Sequence, residues 1–398
     1  MPYINRLEVW NHYRLPNFAV DLPATSGRQF SDLILTGPNA SGKTTLLDQL
    51  ATEIRAYENK RPYLGYRHNH RQNPHGLARY HLAVEWNTLP APQQALVYAA
   101  WQQRTFTSYY IPANRSLAVQ SIVGPTVATD AGPQPPIAQL ASNLEQVLVN
   151  LNVQAGLAKG EDASESDLYF DWLDRFEKAF STLVGIKLKF QFNRKQFEIV
   201  VIEPGCAPYR LETMAAGYGS ILRILSEMVL RTPLVDGLPA FFAQRPMEAV
   251  VLIDELDVHL HPKLQQQALP FLKDVMPNAQ FIVATHSPAV VCSTDSAIVV
   301  DLANPHESIK SSSLRGTPYG QLMTGHFGLT TDLDLATTDA LRELERLRDR
   351  APRTALEQNN FEELASRLSS TSHPLALEVA NMLLIDKARR EAKGNDDQ

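Results

Sequence analysis

The stretch GPNASGKTT, residues 37–45, constrains the fold of this chain more than any other part of its sequence. It fits the pattern G-x-x-x-x-G-K-[S/T], with Gly37 and Gly42 as the glycines and Lys43 and Thr44 behind them. The apolar run LILTG precedes it, and a segment with leucines at helical spacing follows it. A glycine-rich turn between a buried strand and a helix lets backbone N–H groups surround a phosphate. The pattern therefore predicts a phosphate-binding loop in an α/β fold.

Each position of this loop has an expected task in binding ATP and Mg²⁺. Lys43 bridges the β and γ phosphates, and the hydroxyl of Thr44 holds the metal ion. We expect the nucleotide to contact the whole loop, which consists of Gly37, Pro38, Asn39, Ala40, Ser41, Gly42, Lys43, Thr44 and Thr45. A glycine-rich turn before a helix, without a ligand, is the alternative.

A second signal is an apolar run at residues 250–253 that ends in two carboxylates, Asp254 and Glu255. The run indicates a strand buried on both faces, and α/β proteins bind ligands at the carboxyl ends of such strands. Asp254 would coordinate Mg²⁺ directly or through water. Glu255 would orient and polarise the attacking water in phosphoryl transfer.

A third signal is FIVAT at residues 281–285, another buried strand, followed at once by His286. A histidine in this place can hydrogen-bond the γ-phosphate or the attacking water. A lone histidine after a strand is more often structural. The two preceding motifs favour a catalytic role for His286, beside Glu255 and Lys43.

The remaining sequence divides into segments of different periodicity. The run GPTVATDAGPQPPIAQ, rich in proline, glycine and alanine, closes a first segment at residues 1–136. Two helical patterns occupy residues 137–184. Alternation resumes at 185 with a β-hairpin in a segment that extends to 330. Residues 331–398 are predicted to be helical, with a frayed tail at KGNDDQ.

Composition and charge limit the class of protein. The chain has 37 basic and 43 acidic residues, two cysteines, and no apolar run of membrane-spanning length. We expect a cytoplasmic protein with no membrane contact. Residues 60–81 form a local basic stretch without an acid, which is a solvated loop or a contact for nucleic acid or an acidic partner.

The order of these motifs resembles that of ABC-type ATPase heads of the SMC/RecF-like group. More narrowly, the chain is similar to the ATPase part of OLD-family nucleases and to the ATPase subunits of the Septu and PARIS antiphage systems. The resemblance covers roughly residues 1–305. The motifs that carry it are GPNASGKTT, YIPANR, MAAGYGSIL, LIDELDVHLHP, ATHSP and GTPYGQLMTGHFGL. It implies an α/β P-loop NTPase head in two lobes, residues 1–136 and 185–330, with a helical insertion and a C-terminal helical region.

The resemblance also implies a shared site. In ABC-type proteins a serine and a glycine at a helix start contact the γ-phosphate bound to a second subunit. Gly217 matches that glycine, Ala215 occupies the serine position, and Ser220 offers a nearby hydroxyl. Asp257 matches the loop that faces the second subunit, although a helix N-cap is an equal interpretation.

Taken together, these patterns predict an ATPase subunit of an antiphage system. We expect ATP-bound homodimers or higher homo-oligomers that hold, sense for or activate a separate effector protein, a nuclease or a toxin. The alternative is a RecF/SMC-like ATPase that clamps DNA in repair or maintenance. That alternative requires a continuous basic groove, and the net charge of −6 counts against it. The helical, acid-poor segment after His286 does not resemble the TOPRIM domain of an OLD nuclease.

Overall fold

The computed structural model describes most of the chain. The described residues are 2–10, 12, 15–25, 28–58, 71–72, 79–86, 100, 103, 105–114, 125, 143–232, 234–235, 238–239, 247–325, 327, 333–350, 353–370 and 373–396. The predicted basic stretch at 60–81 lies outside these residues, apart from the backbone of 71–72 and 79–81.

The described strands are short and many of them are fully buried. They are β1 (Ile4–Trp10), β2 (Phe18–Asp21), β3 (Asp32–Thr36), β4 (Arg71–Gln72), β5 (Arg79–Trp86), β6 (Phe106–Ile111), β7 (Lys189–Asn193), β8 (Glu198–Ile202), β9 (Tyr209–Arg210), β10 (Leu234–Val235), β11 (Leu238–Pro239), β12 (Glu248–Ile253), β13 (Ala279–Ala284), β14 (Ala297–Asp301) and β15 (Ser308–Lys310).

The described helices follow the predicted order. They are α1 (Lys43–Glu58), α2 (Asn143–Ala158), α3 (Ala163–Val184), α4 (Ala216–Arg231), α5 (Pro262–Val275), α6 (Pro288–Val291), α7 (Ser311–Leu314), α8 (Tyr319–Gly325), α9 (Leu335–Asp349), α10 (Ala355–Ser369) and α11 (His373–Asp396). Within the described part of the chain, no helix combines the length and the apolar character needed to cross a bilayer.

A six-stranded sheet, in the order β15-β14-β3-β13-β12-β6, forms the centre of the first compact unit, residues 1–322. All neighbours pair in parallel except β14 and β15. β3, β6 and β13 are buried along their whole length, as the apolar runs predict for strands covered on both faces. The carboxyl ends of five parallel strands therefore lie along one edge, and this edge positions the site.

A second sheet, in the order β2-β1-β5-β4, shares its hydrophobic core with α1 and the central sheet. The side chain of Gln280 joins the two sheets. Its Oε1 accepts from the N–H of Ile4 at 2.8 Å, and its Nε2 donates to the carbonyls of Ile4 and Ser31 at 2.8 and 2.9 Å. Because Gln280 is fully buried, these bonds satisfy polar groups that would otherwise be costly to bury.

The predicted helical insertion and the hairpin after it are present. α3 begins at the N-cap Asp162 and ends at Gly185, whose φ of 72° places it in the left-handed region. An aromatic row on α3 is buried against α2 and the hairpin of β7 and β8: Trp172, Phe176 and Phe180. The alternation of apolar residues from 186 to 201 thus indicated the correct buried face.

The second compact unit comprises residues 323–398 and contains the helices α9, α10 and α11. Its core includes Leu344, Leu347, Phe361 and Val379. The division falls between residues 322 and 323, so the predicted segments 1–136 and 137–184 and most of 185–330 belong to the first unit, whereas residues 323–330 belong to the second. α11 continues to Asp396, within the segment KGNDDQ whose fraying stays a prediction.

Candidate functional site

The three predicted motifs meet at the carboxyl edge of the central sheet. In the register of the strands, Ile253 of β12 lies opposite Val283 of β13, and Ala284 lies opposite Leu35 of β3. The phosphate loop follows β3, the Asp254–Glu255 pair follows β12, and His286 follows β13. Residues far apart in the sequence are therefore adjacent here, as the strand-end argument predicts.

The backbone of the phosphate loop requires glycine. Gly37 and Gly42 have φ angles of 128° and 101°, which side-chain-bearing residues rarely adopt. A Cβ on Gly37 would lie 2.9 Å from both Asp301 Oδ1 and Ser41 Oγ. The loop also holds Ala40 at a φ of 65°. The peptide groups thus form a concave surface that a side chain at Gly37 would obstruct.

Side chains in the loop are arranged to receive an anion. Lys43 is only 6% exposed, and its Nζ donates to the carbonyls of Gly37 and Pro38 at 2.9 and 3.1 Å. Burial lowers the pKa of Lys43, while the nearby carboxylates, Asp254 first among them, act in the opposite direction. A phosphate would add negative charge beside this ammonium and favour its charged form.

The other loop residues lie on the open side of the turn. Pro38, Asn39 and Ala40 are exposed, and Thr45 is half-buried at the start of α1. The hydroxyl of Ser41 is buried and makes no hydrogen bond to any described residue. A buried hydroxyl of this kind, inside a concave row of peptide groups, fits a phosphate oxygen.

Thr44 and Asp254 are the residues that fit a Mg²⁺ ion. The Thr44 hydroxyl donates to Asp254 Oδ2 at 2.7 Å, and Asp254 is 1% exposed at the end of β12. Among the described residues, no cluster of three or more His, Cys, Asp and Glu side chains could hold a metal ion. One carboxylate and one hydroxyl suit Mg²⁺, which usually completes its shell with phosphate oxygens and water.

Glu255 and His286 lie just after the ends of the neighbouring strands β12 and β13. Glu255 is half-buried and has a φ of 48°, a left-handed conformation that costs energy for a residue other than glycine. Such strain is common where a functional side chain must point in a fixed direction. The imidazole of His286, also half-buried, makes no hydrogen bond to the described residues. Its ring nitrogens therefore remain available to a ligand.

The start of α4 is only partly as expected. Ala215 and Ala216 are exposed, and no side chain caps the first N–H groups of the helix. Gly217 is half-buried, and a Cβ there would lie 3.0 Å from the carbonyl oxygen of His259. Ser220 is 2% exposed and donates to the carbonyl of Val258 at 3.2 Å. Its hydroxyl therefore faces the interior of its own chain, away from the helix start where we expected it to contact nucleotide.

Asp257 has a contact that the sequence did not indicate. Its Oδ1 accepts from the hydroxyl of Thr285 and from the N–H of His286, the latter at 3.2 Å. The N-cap of α5 is His261, so Asp257 does not cap that helix. Asp301, the last residue of β14, is a second residue that no sequence motif indicated, and its carboxylate lies beside Gly37.

Parts of the chain are similar to known proteins. The family described as "AAA domain, putative AbiEii toxin, Type IV TA system" matches residues 234–292, which contain Asp254, Glu255 and His286. The chain is 35% identical over 103 residues to the "Retron Ec83 probable ATPase" of Escherichia coli, across 26% of this chain and 19% of that protein. It is 21% identical over 310 residues to the "Septu protein PtuA" of Bacillus mycoides (strain KBAB4), across 72% of this chain and 38% of that protein.

The chain therefore spans well under half the length of these relatives. Among solved structures, an SMC head bound to the C-terminal winged-helix domain of ScpA has a TM-score of 0.44 and 16% identity, over 77% of this chain and 98% of that one. Residues 234–292 therefore match an AAA-domain family, and further parts of the chain are similar in sequence to a retron ATPase and to Septu PtuA.

Proposed function

We propose that this chain hydrolyses ATP at the carboxyl edge of β3, β12 and β13. The observation that carries the proposal is the convergence of Lys43, the bonded pair of Thr44 and Asp254, Glu255 and His286 at one edge of a parallel sheet. Each of these groups has a separate task in phosphoryl transfer, which depends mainly on positioning and electrostatics.

Each residue has a proposed task that agrees with its contacts. The N–H groups of residues 37–45 and the Lys43 ammonium bind the phosphates, and Lys43 exchanges its bonds to the loop carbonyls for phosphate oxygens. Mg²⁺, held by Thr44 and Asp254, would neutralise phosphate charge. Glu255 orients and polarises the attacking water, and His286 donates a hydrogen bond to the γ-phosphate.

The proposal includes two copies of the chain around the nucleotide. Support comes from the start of α4, where uncapped N–H groups lie beside the exposed Ala215 and Ala216. A helix N-terminus with free donors attracts an anion, and the γ-phosphate bound to a second copy is the proposed anion. Because Ala215 lacks a hydroxyl, the contact forgoes one hydrogen bond to a charged group, about 1.5–3 kcal/mol. We therefore expect slow turnover and a long-lived ATP-bound assembly.

The proposed setting is a bacterial antiphage system in the cytoplasm. Support comes from the relatives, which are named as a retron ATPase and as a Septu protein. ATP binding and hydrolysis would change the arrangement of the two copies, and this change would hold or release a separate effector, a nuclease or a toxin.

The first test measures ATP hydrolysis by the wild type, Lys43→Ala and Glu255→Gln. Glu248→Gln is the matched control, because it makes the same chemical change at the opposite end of β12. We expect the first two variants to lose at least 100-fold in kcat, as removal of a main electrostatic or positioning group does, and the control to retain activity. Equal rates in Glu255→Gln and the wild type would refute the assignment of the site.

The second test measures native mass with and without ATP and Mg²⁺, and identifies proteins that co-purify with the Glu255→Gln variant. An ATP-dependent increase in mass that retains a nuclease or toxin supports the proposed assembly. A monomer that ignores ATP contradicts the shared site. An assembly that retains only DNA, with salt-sensitive binding, would instead support the DNA clamp.

A further inference from the structure

We propose that Asp257 is a positioning residue that sets the place of the His286 imidazole through its backbone. This inference rests on the proposed hydrolysis of ATP at the same site. The resemblance implies instead that the loop of Asp257 faces a second subunit. The hydrogen bonds of Asp257 that support this proposal lie within one chain.

Asp257 holds the two amides around His286. Asp257 Oδ1 accepts from the N–H of His286 at 3.2 Å and from the hydroxyl of Thr285. The same hydroxyl oxygen accepts from the N–H of Ser287 at 3.0 Å. One carboxylate oxygen therefore fixes the peptide groups on both sides of His286, directly on one side and through Thr285 on the other.

Other hydrogen bonds also hold the segment that carries His286. The N–H of Leu256 donates to the carbonyl of Ala284 at 3.1 Å, so the chain just after Glu255 is bonded to the end of β13. The hydroxyl of Ser287 donates to Gln265 Oε1 at 2.6 Å, and Gln265 Nε2 donates to the carbonyl of Leu260 at 2.8 Å. Hydrogen bonds thus join the loop after Glu255 to the segment that carries His286.

The imidazole of His286 is not held by hydrogen bonds as its backbone is. It has no hydrogen bond to any described residue, so its direction depends on its backbone and on the bound ligand. Thr285 is fully buried, and without Asp257 its hydroxyl would lose its acceptor in a place without solvent. The loop would then relax, and small displacements of a reacting group can slow a reaction by as much as about 100-fold.

The phosphate loop has no hydrogen bond to Asp257; burial lowers the pKa of Lys43, and the charge of Asp257 opposes this less than the charges of Asp254 and Glu255 do. Lys43 donates to the loop carbonyls and Thr44 donates to Asp254, and neither is hydrogen-bonded to Asp257. The affinity for ATP should therefore persist when Asp257 is changed. An asparagine at this position keeps a carbonyl oxygen where Oδ1 now lies, so it preserves both acceptor contacts.

The test compares Asp257→Ala, Asp257→Asn and the control Asp274→Ala, an exposed acid on α5, for kcat, ATP dissociation constant and Tm. We expect Asp257→Ala to lower kcat about 10- to 100-fold with the dissociation constant within about twofold. Asp257→Asn should restore most of the rate. Because Asp257→Ala leaves the buried Thr285 hydroxyl without its acceptor, its Tm should fall by roughly a few degrees, whereas the Tm of Asp257→Asn and of Asp274→Ala should stay close to that of the wild type.

A double-mutant cycle with His286→Ala, measured in single turnovers, separates positioning from general loosening of the fold. If Asp257 acts through His286, Asp257→Ala causes no further loss in that background. Full additivity, a parallel loss of ATP affinity, or an asparagine variant as slow as the alanine variant would overturn the inference. Failure of the proposed function would show differently, as a wild type whose hydrolysis does not depend on Glu255.

Discussion

A buried ion pair in the C-terminal unit gives the most direct test of how residues 323–398 are stabilised. Arg353 and Asp386 are 3% and 9% exposed, and form a two-pronged pair with N···O distances of 2.5 and 3.2 Å. The guanidinium also lies over the ring of Phe361, 3.9 Å from its centroid, and donates to the carbonyl of Leu347. Asp386→Ala would leave this cation buried without its counter-charge.

The expected cost can be set against the stability of the unit. Removal of one partner of a buried pair typically costs about 3–5 kcal/mol. At roughly 0.1 kcal/mol per residue, a unit of this length has a stability on the order of 5–10 kcal/mol. The substitution would therefore remove about half of the free energy of unfolding, while the double change Arg353→Met with Asp386→Leu should recover most of it.

Hydrogen exchange measured by mass spectrometry is the appropriate assay. The slowest amides of α9, α10 and α11 in Asp386→Ala should exchange roughly 100- to 4,000-fold faster, since each 1.4 kcal/mol is a factor of ten. Peptides from β12 and β13 in the first unit serve as the internal reference. A change below about tenfold, or a double variant no slower than the single one, would refute the reasoning.

Three further predictions concern the first unit. Gly217→Ala would place a methyl group 3.0 Å from the His259 carbonyl, so we expect slower ATP turnover at a nearly unchanged Tm, because alanine also favours the helix by up to about 1 kcal/mol. A Tm that falls with activity would contradict this. Burial raises the pKa of Glu145, so the folded state binds more protons than the unfolded state in the window just above the ordinary glutamate pKa, and stability falls as pH rises through it. Glu145→Gln should therefore raise the Tm at pH 7.5 and lose this advantage towards pH 5; an equal difference at both pH values would argue against it. Burial also raises the pKa of the Cys292 thiol, whereas Cys206 is exposed, so a maleimide should modify Cys206 first, which peptide mapping would verify.

The fold and most of the site were predictable because their signals are local. The strand, loop and helix at residues 32–58 are encoded by one contiguous stretch of sequence. The apolar strands that end at Ile253 and Ala284 are each encoded by a contiguous stretch as well. The rule that parallel strands place their carboxyl ends together then brings the motifs to one edge. To apply this rule, one must know the order of the motifs along the chain but no distance between side chains.

Two contacts could not be predicted from the sequence, because they depend on the register of two strands and on the rotation of a helix about its axis. Asp257 meets Thr285 because β12 and β13 pair with Ile253 opposite Val283, and no local pattern encodes that offset. Ser220 lies one turn after Gly217, and the rotation of α4 turns its hydroxyl to the Val258 carbonyl. Both contacts were missed for the same reason: their partners are distant in sequence and are selected by packing.

The packing of α4 decides which substitution tests the proposed contact with a second copy. Gly217 and Ser220 both touch the loop at 258–259 within their own chain, so changes there disturb the neighbourhood of Asp257 as well as the helix start. Ala215 has no such restriction, because it is exposed at the N-cap position of α4.

Ala215→Ser should stabilise the helix by about 0.5–2 kcal/mol in the isolated chain and raise its Tm. If a second copy's γ-phosphate lies at this helix start, the serine also supplies the missing hydrogen bond, and the ATP-bound assembly, followed by native mass, should tighten about 10-fold or more. A higher Tm with an unchanged ATP dependence of assembly would mean that the helix start meets no phosphate.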